Sequence, residues 1–100
     1  MKAFELTKTA KEDLRAIAKY TENRWGIVQR NLYIKQFDDG FNFLSNSPKA
    51  GKACSNIKEG YRKFPQGSHI IFYKETTMVK VQIIRILHKN MDVESKFGDT

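Results

Sequence analysis

Cysteine is nearly absent from this chain of 100 residues, and Cys54 has no second thiol with which to close an internal disulfide. One cysteine and two histidines, His69 and His88, supply no zinc-ligand spacing, so no metal or other cofactor is expected. No stretch approaches the ~18 apolar residues of a membrane span. The opening MKAFELTKTAKEDL carries acids where a signal peptide would be apolar. A reduced, cytoplasmic setting is the expectation. Gly-rich phosphate loops and paired-carboxylate motifs are also missing, which leaves nucleotide hydrolysis and glycoside cleavage without their parts.

What is present suits one small globular domain spanning residues 1–100: 40% hydrophobic and 12% aromatic residues, too apolar for a disordered chain. A second core is not expected at this size. Charge is unevenly spread. Residues 1–48 carry eight basic and six acidic side chains, a net +2. Residues 49–89 carry nine basic side chains against Glu59 and Glu75, a net +7, and residues 90–100 come to −2. The middle segment should attract a polyanion, either nucleic acid or an acidic protein segment.

The hydrophobic pattern predicts an α+β fold in the order β-α-α-β-β-β. AFELT alternates like an edge strand. Thr9 and Glu12 form a T-x-x-E capping box, which starts a helix near Ala10. Leu14, Ile17, Ala18, Thr21 and Trp25 share one helical stripe, and Gly26 turns the chain. The stripe resumes through Val28, Leu32, Tyr33, Phe37, Phe41 and Leu44 to SNSP, giving an antiparallel helical hairpin. KAGKACSNIKEG then reads as a polar loop. YRKF, HIIFYKE and MVKVQIIRIL read as strands separated by the turns PQGS and ETT, forming a small, mostly antiparallel sheet. Ile83-Ile84 breaks the alternation, through either a β-bulge or burial on both faces.

Chemistry concentrates in RILHKNMD, residues 85–92. Ser68, His88 and Asp92 supply the residue types of a nucleophilic triad, without a nucleophile elbow or oxyanion hole to serve it. Metal-free RNA cleavage needs a base, an acid and cations for the transition state. Arg62, Arg85 and His88 could fill those roles if their strands are neighbours. Arg85 continues the alternation of Val79, Val81 and Ile83, so without a bulge it points at an apolar face and pairs internally.

LTKTAKEDLRAIAKYTENRWG, YRKFPQGSHIIFYKE and VQIIRILHKNMDVE together resemble the ParE branch of the RelE/ParE toxin superfamily. The resemblance covers nearly the whole chain, with RILHKNMD its most specific part. It implies an N-terminal helical hairpin on a small twisted antiparallel sheet. It also implies a bacterial, plasmid-stabilising toxin of a type II toxin-antitoxin system. Its target would be DNA gyrase, through the A subunit, with the cleaved-DNA complex stabilised, and a ParD-like antitoxin would neutralise it in a hetero-oligomer. Ribonuclease members carry an arginine where this chain has Ile70, so the expectation is a non-enzymatic protein. Binding to antitoxin or target is assigned to Arg62, Phe64, Arg85, His88, Met91 and Asp92, with the tail after Met91 as a target-facing element. The alternatives are a ribosome-dependent messenger ribonuclease using Arg62, Arg85 and His88, and a basic nucleic-acid-binding module. An acidic antitoxin segment already explains the basic surface, so direct nucleic-acid binding is not expected. A groove between the hairpin and the sheet would take that segment's apolar side chains.

Overall fold

The computed structural model describes residues 3–91, 96 and 97. Its elements run β1 (Phe4–Leu6), α1 (Lys8–Trp25), α2 (Ile27–Asn46), β2 (Lys52–Ala53), β3 (Arg62–Gln66), β4 (His69–Glu75) and β5 (Val81–His88). The sheet order is β1-β5-β4-β3-β2; β1 lies parallel to β5 and the other pairs are antiparallel. The α+β class and the hairpin therefore match the sequence reading, with β2 added inside the polar loop. Lys52 and Ala53 gain their strand geometry from pairing with Lys63 and Arg62, a partnership that local propensity does not encode. The last strand begins at Val81 rather than Met78, because β1 and β4 pair with β5 only from that residue.

The first helix starts two residues earlier than the Thr9 capping box predicts. Thr7 is its cap: the hydroxyl accepts from Ala10 N–H at 3.0 Å and donates to Ile84 O at 2.8 Å. Thr7 wins because its backbone N–H also donates to Ile83 O, so one residue ends β1, caps α1 and ties both to β5. Gly26 ends α1 with its N–H on Glu22 O, and its φ of 98° is a conformation that a β-carbon would strain.

Apolar side chains fill both faces of the sheet. On the hairpin side, Ile17, Phe37, Phe41 and Leu44 pack on Ile71, Tyr73, Val81, Ile83 and Ile86. On the other side, Phe72 and Leu87 are covered by Cys54, Tyr61 and Phe97. This second cluster was not expected from chain size; the 54–61 loop and Phe97 close a face that the two helices leave open. Tyr73 shows how tightly the loop after α2 is held. Its buried hydroxyl donates to Pro48 O at 2.7 Å and accepts from Gly51 N–H at 2.8 Å. Gly51 must be glycine, since a β-carbon there would press on that hydroxyl and sit 2.8 Å from Lys63 O. Tyr73→Phe leaves a buried amide unpaired and should lower unfolding free energy by about 1–3 kcal/mol. A urea melt should show a lower midpoint with unchanged slope.

Both alternatives at Ile83-Ile84 hold: the strand carries a bulge and is buried on both faces. Phe72 pairs with Arg85 and Tyr73 with Ile83, so Ile84 is the extra residue. Ile83 faces the hairpin core and Ile84 packs beside the opposite cluster.

Candidate functional site

The bulge decides where Arg85 goes. Its guanidinium donates twice to Asp13 on α1, at 3.1 and 2.8 Å, and Asp13 also accepts from Ile86 N–H at 3.0 Å. Asp13 thus stands where β1 has left the edge of β5 and supplies the acceptor that a longer β1 would have provided. The hydrogen bond to Asp13 is the main reason that the Arg85 pKa rises, with burial opposing it. Arg85 does pair internally, although the sequence reading made that conditional on an unbulged strand.

Arg62 on β3 donates to Gly51 O at 2.8 Å and steadies the same loop that Tyr73 holds. Phe64 stacks on Phe43 of α2 with ring centroids 5.5 Å apart, at the rim of a shallow cleft lined by Gly40 and Gln66. Met91 is exposed and its N–H donates to His88 O. Asp92 lies outside the described residues, and with it the third member of any Ser68-His88-Asp92 constellation. The other two line one cleft, where the Ser68 backbone N–H donates to the Tyr33 hydroxyl at 3.2 Å.

Arg62, Arg85 and His88 do not meet. Strand β4 lies between β3 and β5, and the register sets His88 across from His69 and Gln66, four residues along β3 from Arg62. Four strand residues span roughly 13 Å. Ile70 joins the apolar cluster on the helix-free face.

The structure brings two other sets of residues together. The first is a groove of about 490 Å³ along the outer seam of the hairpin. Leu14, Ala18 and Ile34 line it, with Lys11, Arg15, Arg30 and Asn31. Arg30 is engaged by Glu22 and Asn31, while Lys11 and Arg15 have no side-chain partner among the described residues. An apolar floor with cations at its rim suits an amphipathic, acidic segment. The second set is a cleft of about 340 Å³ at the hairpin tip, where Tyr20, Trp25, Gln29 and Tyr33 meet Ser68, His69 and His88. Tyr33 and Nδ1 of His69 share a hydrogen bond of 2.8 Å, and the rings of His69 and His88 lie 5.4 Å apart. Burial, reinforced by His88, lowers the His69 pKa.

With this geometry in hand, comparison with known proteins is specific. Residues 4–93 match the family described as the ParE toxin of type II toxin-antitoxin system, parDE. The chain belongs to the ParE toxin family. It is 36% identical over 98 residues to Toxin ParE1 of Caulobacter vibrioides, covering 98% of this chain and all of that one. It is 35% identical to Toxin ParE1 of Mycobacterium tuberculosis, covering 91% of this chain and 93% of its relative. The fold is also that of a chain from the chromosomal ParDE TA system of P. aeruginosa. The TM-score is 0.73 at 18% identity, over 88% of this chain and 96% of the other.

Within this ParE-family chain, sequence reasoning missed the groove and, apart from Ser68 and His88, the cleft. Leu14 and Ala18 of the groove floor lie on the predicted stripe, but periodicity alone assigns such residues to the core. Trp25 and Val28 belonged to the same expected core, yet they are 64% and 80% exposed. There the hairpin passes the end of the sheet, which His69 and His88 mark.

Proposed function

We propose that this ParE-family toxin inhibits DNA gyrase without being an enzyme, and that a ParD-like antitoxin neutralises it in the cytoplasm. The observation that carries the antitoxin half is the hairpin groove, whose apolar floor and whose Lys11 and Arg15, without side-chain partners among the described residues, match an acidic amphipathic segment. Its cations come from the first 48 residues, so antitoxin capture need not rely on the more basic 49–89 segment. Family membership supports the partner, since the family is described as one of parDE toxin-antitoxin systems.

The gyrase half is supported by dispersed cations. Phosphodiester cleavage needs a base, an acid and charge stabilisation around one phosphate. Arg62 is spent on Gly51 O, Arg85 on Asp13, and His88 stands apart from both. The deciding experiment sets purified toxin against gyrase supercoiling and, separately, against ribosome-bound message. Inhibited supercoiling with accumulated cleaved DNA, and intact message, is the expected result. Cut message with untouched supercoiling sinks the gyrase reading.

The groove has its own test. Lys11→Glu with Arg15→Glu should weaken ParD-like antitoxin binding by tenfold or more at low salt, with a smaller loss at high salt, on the order expected for rim charges. Titration calorimetry at two salt concentrations reads both. Unchanged affinity would place the antitoxin elsewhere.

A further inference from the structure

We propose that His69 and His88 form a binding site for one divalent transition-metal ion of the zinc, nickel or copper class, at the hairpin tip. The two residues face each other where β4 begins and β5 ends. Lys89 N–H donates to Ser68 O at the adjoining pair, so His69 and His88 occupy a non-hydrogen-bonded position, where cross-strand side chains approach most closely. Their ring centroids lie 5.4 Å apart with planes at 83°. Two imidazoles on one tetrahedral ion, at the usual metal–nitrogen distance, hold their centroids roughly 5 Å apart. The ring separation matches that of two imidazoles sharing one ion.

Hydrogen bonding engages both Nδ1 atoms. Nδ1 of His69 meets the Tyr33 hydroxyl at 2.8 Å, and Nδ1 of His88 accepts from Asn90 N–H at 3.1 Å. Among the described residues neither Nε2 makes a hydrogen bond. The Tyr33 hydroxyl accepts from Ser68 N–H and lies 3.3 Å from Gln66 O, to which it can donate. One lone pair then remains for a proton on His69 Nδ1, and that tautomer leaves the free lone pair on Nε2. Tyr33 therefore acts as the outer partner that orients a metal-binding imidazole.

His88 must change more. While its Nδ1 accepts from Asn90, its proton sits on Nε2. Coordination through Nε2 transfers that proton to Nδ1, with no net release, and the Asn90 amide turns away. Ion capture is thus coupled to the turn after β5. Two imidazoles, with water completing the shell, favour zinc, nickel or copper over magnesium or calcium.

Trp25 is the only tryptophan in the chain and lines the same cleft, so its fluorescence reports on this site. Metal-free, untagged protein should show copper(II) quenching that saturates at a single ion per chain. EDTA should reverse it, zinc should compete and magnesium should not. His69→Gln and His88→Gln should each weaken binding by about tenfold or more, and Cys54→Ser should leave it unchanged. Circular dichroism confirms that each variant is folded, and the Asn90 amide resonance should shift on zinc addition. Absent quenching, or equal quenching in wild type and both folded histidine variants, overturns the proposal.

Discussion

Asp13→Ala should lower the unfolding free energy by about 2–4 kcal/mol, the range for removing one partner of a buried ion pair with allowance for partial exposure. The allowance is needed because the Arg85 and Asp13 side chains retain 24% and 13% of their exposure. Three bonds end on this one carboxylate, two from the Arg85 guanidinium and one from Ile86 N–H. Its loss leaves a half-buried cation and a strand-edge amide without their acceptor. Asp13→Asn keeps the shape and one acceptor oxygen, so it should cost less. A double-mutant cycle with Arg85→Ala should return a coupling of about 1–3 kcal/mol. Toxicity of the Asp13 variants should fall with the folded fraction and recover at lower growth temperature. A fully stable Arg85→Ala protein that has lost toxicity would instead make Arg85 a target contact.

Much of this fold was legible because its signals are local. The 3.6-residue stripe around Ile17, Phe37, Phe41 and Leu44 marks the hairpin core, and HIIFYKE marks β4 to the residue. Long-range pairing was not legible. Asp13 and Arg85 are 72 positions apart, and nothing near either names the other. Ile83-Ile84 announced an irregularity, but only pairing with Phe72 and Tyr73 shows that Ile84 is the inserted residue. That insertion sets the phase of everything beyond it, including the alignment of His88 with His69. Thr9 lost the cap to Thr7 for the same reason, since the bond to Ile84 O comes from the far end of the chain. Residue type and nearness in sequence do not encode which side chains the sheet brings together. The sheet instead spreads Arg62, Arg85 and His88 among a loop anchor, a helix clasp and a cleft.

Phe97→Ala should be nearly as damaging as Asp13→Ala, at about 2–4 kcal/mol, the cost of truncating a buried aromatic ring. The sequence reading treated the residues after Met91 as a target-facing element, which predicts lost toxicity with unchanged stability. Phe97 is instead buried, its ring edge-on to Phe72 at 5.2 Å and to Tyr61 at 5.9 Å. Such contacts add to the area they remove from water. The ring also covers the helix-free face, where Ile57, Ile70 and Ile84 pack beside Leu87. Cys54 belongs to the same cluster, and burial raises its thiol pKa, with Lys63 and Arg62 opposing the shift. Opening that face should therefore speed labelling of Cys54 by a thiol reagent well before global unfolding, because access limits a buried thiol. Phe97→Leu keeps most of the apolar volume and should be milder on both readouts. If Phe97→Ala melts like the wild type and Cys54 stays protected, yet toxicity disappears, the ring works against the target rather than against the sheet.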